Sequence, residues 1–267
     1  APVELALDIL GAEGDWSFTN GKLVLANAAF RLEDRAVEDR FKPMLSQGAH
    51  LQLESNRIMA DALLLEPQSK RSILRAAIAH DLSSGVGSAD LTMDNLVFDK
   101  TLQPDEVSPL ALGVIANADG VVRGTGRIDW TPERVTSSGR FGTDKLDFAA
   151  AFGPVTGLSG TVEFTDLLGL VTAPGQKLRI ASINPGIEVD DGELTFALLP
   201  GNVLRIEGAH WPFLDGTLVL EPTQMVIGKA EARRFTLQIA GLDAAKFVQH
   251  MDLANINATG VFDGALP

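Results

Sequence analysis

The sequence predicts an all-β chain with a few short helices, built as an antiparallel meander. Three observations predict it. Apolar and polar residues alternate along most of the length, which is the period of a half-buried strand. Asn-Gly and Asp-Gly pairs fall between the alternating runs, and these dipeptides supply the positive φ that tight hairpins need. Helical patterning is confined to short stretches.

Taken in order, "VELALDI" and "GKLVLANAAFRL" read as strands, with turns expected at Glu13-Gly14-Asp15 and Asn20-Gly21. Arg31 to Arg40 mixes both signs of charge and reads as a solvated loop or strand end able to hold a salt-bridge network. "HLQLES" is a strand. "SILRAAIAHDL" has the alanine content of a helix, yet Leu74, Ala76, Ile78, His80 and Leu82 alternate with Arg75, Ala77, Ala79 and Asp81, so it reads as strand. "ADLTMDNLVF" follows as a strand, then a helical turn within Pro104 to Gly113 and a turn at Asp119-Gly120.

Gly124-Thr125-Gly126 looks like the start of a phosphate-cradling loop, but a dinucleotide fingerprint wants a third glycine where Asp129 stands, followed by a helix. Arg127-Ile128-Asp129-Trp130 alternates instead, and Pro132 ends it, so this too is strand.

"GTVEF" continues the series, with one turn over Thr165 to Leu170 and loops at "TAPGQ" and "SINPG". Asp190-Asp191-Gly192 reads as a hairpin tip. "GELTFALL" and "VLRIEG" flank Pro200-Gly201-Asn202. Trp211 before Pro212 plugs a strand bend, and Asp215-Gly216 leads into "GTLVLEP". Glu231 to Phe235 reads as plain charged surface and runs into "RRFTLQIAG", the next strand. Leu242 to Met251 then reads as a short amphipathic helix, with Asp243 as N-cap and Ala244, Phe247, Val248 and Met251 on one face.

The composition narrows the function. The 267 residues are 45% hydrophobic and 21% charged, enough for a sizeable core. The formal net charge of −13 argues against nucleic acid and against a general anionic membrane surface as partners. Absence of cysteine excludes disulfides and thiolate metal sites, and is compatible with an oxidising compartment. No run approaches the length of a membrane span. The chain opens on "APVELALDI" and stops at "GVFDGALP", both in mid-pattern, so it is expected to be one elongated segment, 1–267, of a longer protein.

Sites for chemistry do not assemble. His50, His80, His210 and His250 are scattered, with no metal-ligand spacing. Ser159 in "GLSGT" fails the nucleophile-elbow pattern because Thr161 replaces the final glycine, so it reads as a turn serine. Neither an enzyme nor a cofactor is expected.

What remains is an apolar strand face. Its candidate members are Leu23, Leu25, Leu51, Leu53, Leu91, Met93, Ile128, Trp130, Val162, Phe164, Leu194, Phe196, Leu198, Leu204, Ile206, Leu218, Leu220, Phe235, Leu237 and Ile239. Alternation alone fits a closed sandwich or barrel with a sealed core as well as a face open to a ligand. The parity of each strand that faces inward is likewise open.

"GTGRIDW", "SSGRFGTDKLDFAAAFGPVTGLSGTVEFTDLLGLVTAPGQ", "SINPGIEVDDG", "AHWPFLDGTLVLEP", "GLDAAKF" and "NATGVFDGALP" resemble the C-terminal conserved domain of the YdbH-like family, relatives of the AsmA and TamB envelope proteins. The resemblance is firmest from about Val107 to Pro267. It implies a curved antiparallel sheet of taco or half-pipe type, whose apolar groove passes phospholipids between inner and outer membranes. It also implies a periplasmic location, an inner-membrane anchor outside this sequence, and an outer-membrane lipoprotein at the C-terminal strand edge. Two alternatives accompany it: a docking module that pairs its Thr259–Leu266 edge with that lipoprotein, and a small-solute (dicarboxylate) binding domain. On the groove reading, glutamate at Phe196 and Leu237 is expected to block lipid passage without unfolding the chain.

Overall fold

The structure, a computed structural model, describes residues 5–150, 153–229, 235–250 and 256–266. They form one 17-stranded sheet in which every pairing is antiparallel and strands follow almost in chain order. The meander reading therefore holds.

β1 (Leu7–Thr19) and β2 (Lys22–Asp34) close on Asn20-Gly21, whose φ values of 52° and 79° are the two left-handed residues such a hairpin needs. Nothing lies within 4 Å of a Cβ added at Gly21, so Gly21→Ala costs only its backbone conformation. We expect a loss of about 1 kcal/mol in urea unfolding. β3 (Met44–Glu54) and β4 (Arg57–Leu65) close in the same way on Ser55-Asn56, at 49° and 62°. That hairpin lacks the Asn-Gly signature, and the sequence reading passes over it.

β5 (Ser72–Asp81) is strand despite its alanines, and β6 (Val86–Phe98) pairs with it. An insertion with α1 (Pro104–Val107) and a 3-10 turn (Pro109–Ala111) leads to β7 (Ala116–Trp130) and β8 (Val135–Ala150). β9 (Gly153–Asp166) pairs with β8, with the two-residue β10 (Val171–Thr172) and with β11 (Gln176–Ile183). β12 (Val189–Leu199) and β13 (Val203–Phe213) close on Pro200-Gly201-Asn202 as expected. β13 then pairs with both β14 (Gly216–Leu220) and β15 (Thr223–Val226).

β16 (Leu237–Asp243) joins β14 to the edge strand β17 (Val261–Leu266), with α2 (Ala244–His250) between them. Asp243 caps α2 as expected, its Oδ1 accepting from the Lys246 N–H at 2.8 Å. Glu231 to Arg234 and Met251 lie outside the described residues.

Four turn expectations are corrected. Glu13-Gly14-Asp15 and Asp119-Gly120 lie inside β1 and β7, at shifts of register. Asp190-Asp191 lies inside β12, with Asp191 at φ 58° and Asp190 opposite Ser182. Ser159 pairs with Arg179 inside β11's neighbour β9. The same glycines and aspartates that make turns also make β-bulges, because both need a locally strained or left-handed residue.

The half-pipe is corrected too. The sheet is neither curled nor closed, and among the described residues its edge strands β1 and β17 pair on one side only. Part of the apolar face is covered locally instead. Leu102, fully buried, and half-buried Phe41, Val107 and Ile115 come from the loops after β2 and β6 and pack with Met44, Leu64, Ile73, Leu96, Phe98 and Leu146.

The mixed-charge stretch at the end of β2 and just beyond it forms ion pairs. The Asp34 carboxylate, 0% exposed, accepts from Arg40 Nη2 at 2.7 Å, from Arg40 Nε at 2.9 Å, and from the N–H groups of Arg40 and Ala36 at 2.7 and 3.1 Å. Burial alone pushes this carboxyl up, but the guanidinium and the two N–H groups outweigh it and hold it below the usual 3.8. A carboxyl that is more acidic in the folded chain stabilises the fold above its unfolded value, and that gain is lost as pH falls below about 3.8. Asp34→Asn is therefore expected to cost on the order of 2 kcal/mol near neutral pH. In denaturation at stepped pH, the gap from the parent chain should shrink below that value.

Candidate functional site

Cross-strand partners share a face, so the register carries one face across the sheet. Leu23↔Leu53 and Leu25↔Leu51 join β2 to β3, and Leu53↔Ile58 and Leu51↔Ala60 continue to β4. Through Ile78 and Ala76 on β5 the face reaches Ala89 and Leu91 on β6. Ala89↔Ile128, Gly87↔Trp130 and Met93↔Gly124 bring in β7. Gly124↔Phe141, Phe141↔Val162 and Gly139↔Phe164 lead to β9. From Gly160 the face passes to Leu178, which pairs with Leu194, while Gln176 pairs with Phe196. Phe196↔Ile206, Leu198↔Leu204, Trp211↔Leu218, Leu218↔Ile239 and Leu220↔Leu237 complete it. All the strand candidates thus share one face. Phe235, just before β16, packs against the same side chains.

The opposite face is charged. Arg127 meets Asp90 and Asp129 at 2.7 and 2.9 Å, Lys177 meets Glu193 at 2.6 Å, and Arg75 meets Asp61 at 3.6 Å. The Lys177 ammonium holds the Glu193 carboxyl below its ordinary range. Exposed pairs like these add little stability, but they keep that face wet.

Within the apolar face the candidates separate by burial. Leu25, Ile128, Phe196, Ile206, Leu218 and Leu220 are buried; the other candidates are half-buried. Ile206, Leu218 and Leu220 form one cluster with Ile180, Ile183 and Trp211, and Leu194, Leu204, Phe235, Leu237 and Ile239 pack against it. Leu25 and Leu51 belong to a smaller cluster with Ala28, Ala49 and Ala62, and Met93 packs on the cluster around Leu102. Leu23, Leu53, Leu91, Trp130, Val162, Phe164 and Leu198 are half-buried and stand outside all three clusters.

Large rings lie flat over glycines. A Cβ added at Gly87 would stand 2.4 Å from the Trp130 ring, at Gly124 2.3 Å from Phe141, and at Gly192 2.0 Å from Trp211 Nε1. This thins the apolar layer where rings would otherwise stand tall. Where glycines of β7–β9 leave side chains out, a hollow of about 670 Å³ opens, lined by Arg123, Arg140 and Asp144 as well as Met93 and Phe141. It is a mixed depression in the surface.

Two residues on this face escape the sequence reading. Trp16 and Phe18 pair with Leu25 and Leu23, and are 59% and 72% exposed at the sheet edge. The signal was present, since both alternate with Asp15 and Ser17. Among the described residues no group of three or more His, Asp or Glu could hold a metal ion, and no helix is long and apolar enough to cross a membrane.

A sheet with one continuous apolar face and one charged face leaves the type of ligand open. A family model described as "YdbH-like: Intermembrane phospholipid transport protein YdbH" matches residues 4–267. The chain belongs to the YdbH-like family. No curated protein and no solved structure matches it. The YdbH-like assignment covers the first half of the chain as fully as the second, where the sequence resemblance was firmest. It places the chain in a phospholipid-transport family, whose work is carriage, not catalysis.

Proposed function

We propose that this YdbH-like chain is a segment of a periplasmic carrier that holds phospholipid tails on the open apolar face of its sheet as they pass between two membranes. The observation that supports it is the single face traced by register from Leu23 to Ile239, backed by a charged face. Burying one CH₂ is worth about 0.8 kcal/mol, so an acyl chain of about 16 carbons crossing water meets a penalty on the order of 12 kcal/mol. A continuous strip of leucine, isoleucine and aromatic side chains removes much of it. The polar end of the lipid stays at the wet margin of the face, and no cofactor is needed.

The half-buried positions outside the core clusters are the ones to test. Leu53→Glu and Leu198→Glu should leave the chain folded, at a cost near 1 kcal/mol each. Both should lower the amount of phospholipid co-purifying with it several-fold, read by native mass spectrometry. Parent chain that carries no phospholipid after purification from cells would refute the proposal.

A second reading rests on the edge. Among the described residues β17 pairs only with β16, and Val261 there is exposed. An added strand from an outer-membrane lipoprotein would complete it. Removing Thr259 to Leu266 should then abolish that capture and leave bound lipid unchanged.

A further inference from the structure

A histidine, His80, stands in the apolar face among the half-buried positions. His80 lies on β5, opposite Ile58 on β4 and Gly87 on β6, and Gly87 in turn pairs with Trp130. The Trp130 indole Nε1–H donates to His80 Nδ1 at 3.1 Å, with the ring centroids 5.9 Å apart. An indole nitrogen only donates, so Nδ1 is the bare acceptor and the imidazole proton sits on Nε2. Trp130 itself is pinned, because its ring fills the space over Gly87. His80 is thereby held in one tautomer and one orientation by a neighbour that is also held. The His80 side chain makes no other hydrogen bond among the described residues, so its Nε2–H is unspent.

The position gives that donor a use. His80 is half-buried and lies close to the 82–85 turn, at the margin of the apolar face. Water satisfies Nε2–H while the face is empty. Tails that displace this water would strand the donor, at a cost comparable to a lost hydrogen bond, unless the ligand brings an acceptor. A glycerophospholipid does so at the point where its tails begin, in its ester carbonyl and phosphate oxygens.

We propose that His80 is an anchor for the polar end of a bound glycerophospholipid, its Nε2–H donating to an ester or phosphate oxygen while the tails lie along the face toward Leu91 and Ile128. This rests on the carrier reading above and adds to it a fixed point along the face. Any diacyl phospholipid presents these oxygens, so the anchor retains phospholipids over bare hydrocarbon without selecting among head groups.

The test measures three probes on the parent chain, His80→Phe and His80→Gln: a short-chain diacyl phosphatidylethanolamine, the apolar dye N-phenyl-1-naphthylamine, and inorganic phosphate. Phenylalanine keeps a flat ring but has no N–H; glutamine restores a donor near the Nε2 position. We expect His80→Phe to weaken phospholipid binding about 5- to 10-fold, to leave dye binding unchanged, and to be largely rescued by glutamine. Equal phospholipid affinity in parent and His80→Phe overturns the anchor and leaves the carrier standing. Equal weakening of dye and phospholipid also overturns it, since His80 would then act through packing alone. Phosphate binding with the same dependence on His80 overturns it in favour of a free-anion site. A parent chain that binds neither phospholipid nor dye removes the carrier reading itself.

Discussion

Phe196→Glu is expected to unfold the chain. Phe196 is 5% exposed, pairs with Ile206 on one side and Gln176 on the other, and sits beside Ala197, which is fully buried. Removing a buried phenylalanine costs about 3–5 kcal/mol, and an unpaired carboxylate in its place adds several more. A domain stable by about 5–15 kcal/mol cannot absorb that sum and keep a populated native state. The check is far-UV circular dichroism and urea unfolding of the soluble fraction, with Leu53→Glu as the folded comparison. The sequence alone suggested that glutamate at Phe196 would block lipid and spare the fold. Burial separates these two outcomes, and at Phe196 it makes the residue a poor probe of lipid passage.

The contact of Trp211 with Gly192 gives the second large effect. Trp211 is 3% exposed in the cluster with Ile180, Ile206, Leu218 and Leu220, and its indole lies directly on Gly192. Gly192→Val puts a branched side chain where the buried ring now sits, so the ring or the strand must shift. We expect a loss of about 3 kcal/mol. Trp211→Ala leaves a cavity instead, at about 3–5 kcal/mol. Trp211→Phe should be much milder than its lost volume suggests, near 1 kcal/mol. The indole Nε1 is buried with no hydrogen-bond partner among the described residues, so losing it relieves an unsatisfied donor. Urea midpoints for the three variants should therefore order as Phe, then Val and Ala well below. A Phe variant as unstable as Ala would show that Nε1 is satisfied after all.

Local signals and long-range geometry divide in the same way across the chain. Asn20-Gly21 and Pro200-Gly201-Asn202 were legible because a tight hairpin needs left-handed residues and few sequences supply them cheaply. Asp119-Gly120 carries the same letters but lies inside β7 at shifts of register, and Asp191-Gly192 lies inside β12 with its register unbroken. A bulge and a turn make the same demand on one or two residues, and only the partner strand tells them apart. Ser55-Asn56 shows the converse, a hairpin held by two left-handed residues of ordinary appearance.

By itself the sequence determined the alternation, and with it the antiparallel strands, the Asp243-capped helix within Leu242 to Met251 and the apolar residue set. These follow from one residue and its near neighbours. Only the tertiary structure decided that the apolar residues share one face, that Phe196 is sealed while Leu53 and Leu198 are accessible, that rings rest on glycines, and that the sheet stays open and uncurled. Each of those depends on register between strands, and a slip of one residue would turn a whole strand over without changing its composition.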